Sequence, residues 1–227
     1  MAKYKTELHC HSKDASGCSH ESVEGIVEKY LAAGYTTIVL TNHFCPDSMD
    51  DDWMAKVAQK YDAYDKLVKA ADGKLNILMG LEFRFTTNFN DYLVYGFDRK
   101  YLEDRPDILK QSIRDFIKTA REDGFLTIQA HPFRWGMTTV NPNDVDGIEV
   151  FNGHSSHNSN NDIAEMWAKK YNKIMTSGTD HHDPHHIPDG GILTDEPITS
   201  IPQLIETIRS GNYELIKDPI PPKPVKK

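Results

Sequence analysis

The chain has 227 residues, of which 38% are hydrophobic, and this is enough apolar material for the core of one ordinary domain. Its formal net charge of −8 argues against a surface that holds duplex nucleic acid, because such surfaces neutralise phosphates with lysine and arginine. No run approaches the roughly 18 apolar residues of a membrane span, and the first residues lack the apolar block of a signal peptide. We therefore expect a cytoplasmic protein without a membrane partner, and the composition does not indicate its oligomeric state.

In chain order, short apolar runs predict buried strands at residues 5–9, 37–41, 75–81, 92–96, 126–130, 147–151 and 174–177. Apolar residues at helical spacing predict helices at residues 22–33, 53–71, 108–122, 162–171 and 202–210. Strands that alternate with helices indicate βαβ units and a parallel sheet, and about seven such units favour a closed barrel. We predict a single α/β domain over residues 1–218, a distorted (β/α)7 barrel, followed by a flexible tail rich in proline and lysine at residues 219–227.

Polar residues follow most of these strands, at the edge where barrel enzymes place their chemistry. In chain order they are His9, His11, His43, Glu82, His131, Asn152, Asp180 and His182. Because side chains alternate along a strand, His9 and His11 point to the same side, and the run SGTDHH repeats this spacing with Asp180 and His182. Mixed nitrogen and oxygen donors suit zinc, iron or manganese, so the pattern predicts a metal centre.

The three cysteines are Cys10, Cys18 and Cys45, and they form no CxxC pair. This argues against a disulfide framework or a structural zinc knuckle, and reduced thiols are expected. Cys10 lies between two expected ligands on the opposite side of its strand, which favours burial in the barrel wall.

Five ordered motifs resemble those of the polymerase and histidinol phosphatase (PHP) superfamily of metal-dependent phosphoesterases. They are TELHCHS, VLTNHF with Asn42 where aspartate is usual, GLEF, QAHPFR and SGTDHH. The resemblance extends from about Tyr4 to His182 and implies a distorted barrel of seven βα units that carries two or three divalent metal ions.

Carried over to this chain, the resemblance implies that His9, His11, Glu82 and Asp180 hold one ion and that Glu82 bridges to a second ion held by His131. A third ion would take His43 and His182. In two places the chain departs from the family pattern: Asp91 stands about where a histidine is common, and KDASGCSH replaces the usual segment after the first motif. Asp91 is therefore a candidate carboxylate ligand, and the further ligand of the third ion is either Asp14 or His20.

Other polar residues have candidate roles around the substrate. Arg134 comes three residues after an expected ligand, and its guanidinium can fork onto phosphate oxygens. His154 follows a strand end and is a candidate substrate contact. The candidate catalytic residues are His43, Asp180 and His182. Three further histidines, in a polar loop that contains proline, are expected to be exposed: His181, His185 and His186.

The function predicted is hydrolysis of a small phosphate monoester, such as histidinol phosphate or a nucleotide, by metal-activated water. No GxSxG, P-loop or GxGxxG motif is present to indicate another chemistry. Two alternatives remain open at this stage. One is a metal-dependent hydrolase of the amidohydrolase type, acting on an amide or lactone, and the other is a regulatory module that binds metal without catalysis.

Overall fold

The computed structural model describes residues 3–46 and 52–217. The predicted tail at residues 219–227 lies outside these ranges. The longer strands are β1 (Tyr4–Cys10), β2 (Tyr35–Leu40), β4 (Asn76–Arg84), β5 (Asp91–Tyr95), β6 (Leu126–Gln129), β7 (Gly147–Asn152) and β8 (Ile174–Gly178). Each overlaps a strand predicted from the apolar runs. Three short strands were not predicted: β3 (His43–Phe44), β9 (Ile192–Thr194) and β10 (Glu214–Leu215).

The helices are α1 (Val23–Ala32), α2 (Trp53–Ala71), α3 (Arg99–Glu103), α4 (Ile113–Glu122), α5 (Asn161–Lys170) and α6 (Ile201–Ser210). The single helix predicted at residues 108–122 is divided in two. A 3-10 turn at Ile108–Lys110 comes first, and Ser112 then caps the start of α4 by accepting a hydrogen bond from the amide of Asp115. A serine that satisfies a free amide at a helix start fixes a new N-terminus there.

The strands form one sheet in the order β10-β9-β1-β2-β4-β5-β6-β7-β8, with β3 paired to β4. The sheet nearly closes into a barrel, because the backbone after β8 meets the end of β1: the amide of His11 donates to the carbonyl of His181 at 2.9 Å. The predicted distorted barrel is confirmed. The prediction of a wholly parallel sheet is wrong, since β5 runs antiparallel to both β4 and β6.

Helices cover the sheet through buried apolar side chains. Ile26 and Tyr30 of α1 and Leu67 of α2 pack with Ile38 of β2, and Phe116 of α4 packs on the aromatic residues of β4. This packing fixes the strands, and therefore the strand ends, relative to one another. Among the described residues, no helix is long and apolar enough to cross a membrane.

Candidate metal centre

The structure brings eight of the ten predicted metal ligands to one edge of the barrel. They are His9, His11, His43, Glu82, Asp91, His131, Asp180 and His182. Most stand at or just after the carboxyl end of a strand. Asp91 reaches the same edge by the opposite route, because it is the first residue of the antiparallel strand β5 and pairs in register with Arg84 at the end of β4.

The donor atoms form overlapping triads in which all three atoms lie within 4.8 Å of one another. The triads are His9–His11–Asp180, His9–Glu82–His131, His11–His43–His182 and His154–Asp180–His182. The first lies within the ligand set that the resemblance implies for one ion. The second and third contain the implied pairs Glu82–His131 and His43–His182 together with His9 and His11, and the fourth adds His154. Side-chain nitrogen and carboxylate oxygen in sets of this size are typical ligands of zinc, iron and manganese.

The hydrogen-bond network assigns the tautomer of the central histidines. Nδ1 of His9 donates to Oε1 of Glu149 at 2.8 Å, and Nδ1 of His182 donates to the backbone carbonyl of Asp180 at 3.0 Å. Nδ1 of His11 lies 3.1 Å from the hydroxyl of Ser16. This hydroxyl donates its own proton to the side-chain oxygen of Asn42, so it accepts a hydrogen bond from His11. In its neutral form, each imidazole therefore carries its proton on Nδ1 and presents the lone pair of Nε2 to the centre.

These lone pairs face carboxylate oxygens. Nε2 of His9 lies 3.3 Å from an oxygen of Glu82 and 3.3 Å from an oxygen of Asp180, and Nε2 of His11 lies 3.4 Å from both residues. Both nitrogen atoms are buried and make no hydrogen bond among the described residues. Orphaned lone pairs that converge on buried carboxylates are costly unless a cation lies between them, so the residues fit a divalent metal centre.

The charges of the centre are mutually dependent. Burial opposes ionisation of Glu82, but the imidazoles of His43 and His9 hold the pKa of its carboxyl well below the usual range. Burial likewise opposes protonation of His9, but Asp180, Glu149 and Glu82 raise its pKa well above the ordinary value. A proton and a cation therefore compete for Nε2 of His9, and metal binding is expected to release protons.

Glu149 is a buried partner of this centre that sequence reasoning missed. Besides its contact with His9, its other oxygen accepts from the amide of His131 at 2.9 Å and from the side chain of Asn152 at 2.9 Å. Gly178 makes room for this arrangement, since a Cβ there would lie 2.4 Å from Cβ of His9 and 2.8 Å from Oε1 of Glu149. A carboxylate in the middle of the apolar run at residues 147–151 was the signal available in the sequence.

His131 and Asp180 both adopt the left-handed backbone region, with φ of 27° and 54°. This region is unfavourable for side chains other than glycine and, less strongly, asparagine and aspartate. Such conformations cost about 1–3 kcal/mol each and persist where surrounding contacts enforce them. Here they turn two donor side chains toward the same centre.

The structure does not bring Asp14 or His20 into the cluster, contrary to expectation. Asp14 pairs with Lys66 at 2.7 Å, and the exposed ring of His20 contacts Asp183 at 2.8 Å. Cys18 lies there instead, and it interacts with both His43 and His182. Although burial opposes thiolate formation, these two imidazoles lower the pKa of Cys18 to about 6.

The loop after Asp180 also differs from expectation. His181 is fully buried, with Nε2 3.4 Å from Glu21, and His186 is buried with Nδ1 accepting from the amide of His182 at 3.1 Å. The prediction that these two are exposed is wrong, because the loop folds against the segment that leads into α1. His185 is exposed as predicted.

Arg134 points into the centre. Its guanidinium donates to Asp180 at 2.7 Å and to the side-chain oxygen of Asn152 at 2.7 Å, and only 13% of the side chain is exposed. A cavity of about 400 Å³ lies above the cluster, and Cys18, His43, Arg84, Arg134, His154 and His182 are among its lining residues. Cations and histidines therefore surround the space in front of the donor atoms.

His154 is held in one tautomer. Its Nδ1 accepts a hydrogen bond from the amide of Ser156 at 3.2 Å, so the proton of the neutral ring is on Nε2. Burial is the main cause that lowers its pKa to about 3, and His154 is therefore neutral in the physiological range. It presents an N–H donor rather than a lone pair or a charge.

Comparison with known proteins agrees with this geometry. A family model described as PHP-associated matches residues 158–213. A two-domain protein from Bacteroides vulgatus that contains a predicted PHP-like metal-dependent phosphoesterase shares the fold with a TM-score of 0.63 at 17% identity. The match covers 95% of this chain and 65% of that one. The family model thus supports the resemblance to the PHP superfamily over residues 158–213, and the solved structure shares the fold.

Two further solved structures, which differ from each other in activity, share the fold of this chain. Endonuclease Q, in complex with a 27-mer duplex carrying an abasic lesion, matches with a TM-score of 0.67 at 12% identity over 94% of this chain and 58% of that one. An amidohydrolase from Chromobacterium violaceum with bound sulfate matches with a TM-score of 0.57 at 15% identity over 94% and 99% of the two chains. This chain thus spans 65% and 58% of the first two structures.

No curated protein matches the chain in sequence. The expectation from net charge that duplex nucleic acid is a poor partner is overturned by Endonuclease Q, a PHP neighbour that holds duplex DNA at its active site. Net charge is a sum over the whole surface and does not report the field at a metal centre, where bound cations can dominate.

Proposed function

We propose that this chain is a metal-dependent phosphoesterase that hydrolyses a phosphate monoester. The observation that carries the proposal is the position of Arg134, a largely buried guanidinium held 2.7 Å from the expected metal ligand Asp180. A planar fork beside a cation centre matches the oxygens of a phosphoryl group. An amide or lactone has no comparable charge for the guanidinium to bind.

The donor sets allow two or three ions. His9, His11, Glu82 and Asp180 would hold one ion, and Glu82 with His131 and Asp91 a second. Bound divalent ions would supply an activated water and would stabilise charge on the entering and leaving oxygens. The proposal favours zinc, iron or manganese, because the donors are imidazole and carboxylate.

The chain's own residues orient the ester and supply hydrogen bonds. The guanidinium of Arg134 binds two phosphoryl oxygens and leaves Asp180 free for an ion. The Nε2–H of His154 donates to a third oxygen. Because this ring is neutral, it binds the phosphoryl group without adding a charge that would repel the ions.

His43 and His182 have two alternative roles. With three ions bound, both are ligands. With two ions bound, His182 is not a ligand and would donate a proton to the leaving oxygen from Nε2. In the metal-free protein, Asp180 outweighs burial and raises the pKa of His182 to about 10. Metal stoichiometry, measured together with the pH dependence of kcat, separates these roles.

A second candidate reaction is cleavage of a phosphodiester in nucleic acid. The observation in its favour is the shared fold with Endonuclease Q, which acts on a lesion in duplex DNA. The same centre serves both reactions, because each needs an attacking water and a stabilised leaving oxygen.

A turnover panel with metals tests the proposal. Phosphate monoesters, an oligonucleotide with an abasic site, and amide and lactone substrates are assayed with zinc, iron or manganese at verified loading. We expect monoester turnover that is lost in Asp180→Ala and retained in His185→Ala, an exposed histidine outside the proposed centre. Hydrolysis of amides without phosphate esters contradicts the proposal, and a metal-loaded protein with no turnover indicates a binding module.

A further inference from the structure

Two loops that adjoin residues of the metal centre carry exposed aromatic side chains. Trp135 is 96% exposed and Phe89 is 78% exposed, and these are the two most exposed large hydrophobic side chains of the described residues. Trp135 directly follows Arg134, which points into the centre, and Phe89 lies two residues before Asp91. The most exposed apolar groups therefore belong to segments that lead into the centre.

The two loops are joined by a buried amide. The side-chain oxygen of Asn90 accepts from the backbone amide of Thr138 at 2.7 Å and from its hydroxyl at 3.3 Å. Gln129, at the end of β6, donates to the carbonyl of Thr138 at 3.2 Å, and Asn90 and Gln129 are fully buried. These contacts hold the backbone of both loops, so the aromatic residues project from a fixed support.

Burial of a tryptophan stabilises a folded protein because the side chain is large and mostly apolar, and an exposed tryptophan does not provide this stabilisation. The other two tryptophans are partly buried, and each makes an edge-to-face ring contact, Trp53 with Phe44 and Trp167 with Phe133. Trp135 has no such ring neighbour among the described residues. Its exposed face is therefore available to a flat ring from outside the chain.

We propose that Trp135 and Phe89 stack on a nucleobase of the substrate, while the phosphate ester of the same nucleotide unit lies at Arg134 and the metal centre. This inference rests on the proposed phosphoesterase function and specifies its substrate class. Arg134 can bind a charged group, and the adjacent Trp135 exposes an aromatic ring. This pair matches a ligand in which a ring and a phosphate are joined by a short linker. Stacking requires only a π-face, so it needs no base-specific hydrogen bond.

A nucleobase fits this edge better than a membrane does. The net charge of −8 opposes approach to an anionic bilayer. The nucleobase can belong to a free nucleotide or to a nucleic acid strand. The shared chemistry is a ring stacked beside a phosphate ester, and the length of the probe distinguishes the two sources.

Kinetics with matched phosphate esters test the inference. Adenosine 5′-monophosphate and ribose 5-phosphate differ in the base and share the phosphate ester. We expect Trp135→Leu and Phe89→Leu each to raise KM for the nucleotide by about tenfold, the effect of losing one stacking partner, with little change for ribose 5-phosphate. Met166→Ala is the matched control, because Met166 is 69% exposed on α5 and is expected to leave both values unchanged.

Fluorescence supplies a readout that does not depend on turnover. The nucleotide should quench tryptophan emission of the metal-loaded protein, ribose 5-phosphate should not, and Trp135→Leu should abolish the quenching. A short single-stranded oligonucleotide that binds at least tenfold more tightly than the mononucleotide identifies a strand as the source, and equal affinity identifies the free nucleotide.

The outcomes separate this inference from the proposed function. Equal kcat/KM for the two esters, unchanged in Trp135→Leu, overturns the stacking inference while the phosphoesterase stands. Failure of every phosphate ester to turn over rejects the proposed function. If quenching by the nucleotide nevertheless persists and requires Trp135, stacking is supported as a binding property of this edge.

Discussion

Replacement of Glu149 by glutamine should weaken metal binding without unfolding the protein. Glu149 accepts three hydrogen bonds, from Nδ1 of His9 at 2.8 Å, from the amide of His131 at 2.9 Å and from the side chain of Asn152 at 2.9 Å. In Glu149→Gln the amide oxygen can keep the bonds from His131 and Asn152. The amide nitrogen then faces Nδ1 of His9, and two donors oppose each other there.

His9 can relieve this conflict by carrying a single proton on Nε2, where oxygens of Glu82 and Asp180 lie 3.3 Å away. The charge-assisted hydrogen bond to Glu149 is lost but no buried donor is left unpaired, so the free energy of unfolding without metal should fall by about 1–2 kcal/mol. The lone pair offered to the metal is lost, however. We expect metal affinity to fall about 10- to 100-fold, the usual effect of removing a carboxylate that orients a ligand histidine.

Glu149→Ala provides the comparison, because it leaves three buried donors without an acceptor. At about 1–3 kcal/mol for each unsatisfied group, it should destabilise the metal-free protein by at least ~3 kcal/mol. Metal affinity is measured by competition with a chromogenic chelator, stability by urea unfolding in excess chelator, and the His9 tautomer by nitrogen NMR. Wild-type affinity in Glu149→Gln, or equal destabilisation by both variants, would refute the tautomer argument.

Three further predictions concern the centre and its surroundings. Arg134→Ala should lower kcat/KM about tenfold to a thousandfold at unchanged metal content, and Arg134→Lys should recover only part of the lost activity. Unchanged kinetics in Arg134→Ala would show that Arg134 does not bind the substrate. Exhaustive chelation should abolish activity and lower Tm, because ions at about 100 times Kd contribute about 2.7 kcal/mol to stability; full activity after verified metal loss contradicts this. Iodoacetamide should alkylate Cys18 of the metal-free protein with a half-maximal rate near pH 6, because the reactive thiolate forms as the pH rises through the lowered pKa. The same pH profile is expected in the control variant Cys45→Ser. A midpoint above pH 8 would be inconsistent with the contacts of Cys18 to His43 and His182.

The apolar pattern of the sequence predicts where strands lie but not which way they run. The run at residues 92–96 corresponds to β5, yet a short buried strand has the same apolar sequence pattern in a parallel and in an antiparallel sheet. Direction is set by the connection, and the loop at residues 85–90 is too short for a crossover to a parallel neighbour. The length of this loop could have predicted that β5 reverses and that Asp91 begins it at the site edge.

The positions of the central donors follow from strand ends, which is why they could be predicted from the sequence. Loop residues do not share this constraint. Asp14 and His20 stand close to His11 in sequence, but the turn that begins at Ser12 directs them to Lys66 and Asp183. Glu149 was missed for a different reason. The hydrophobic pattern assigns its run to a strand, and only the fold reveals that its hydrogen-bond partner is His9, on a strand that does not pair with its own.

The seam between β1 and the end of β8 has a further consequence. His9 and His11 lie on one side of it and Asp180 on the other, and backbone hydrogen bonds with His181 join the two sides. An ion shared by these residues would cross-link two segments that are far apart in the chain. Such a link restricts the unfolded chain as a cross-link over a long loop does, so β1 and the end of β8 should resist separation most strongly when the metal is bound.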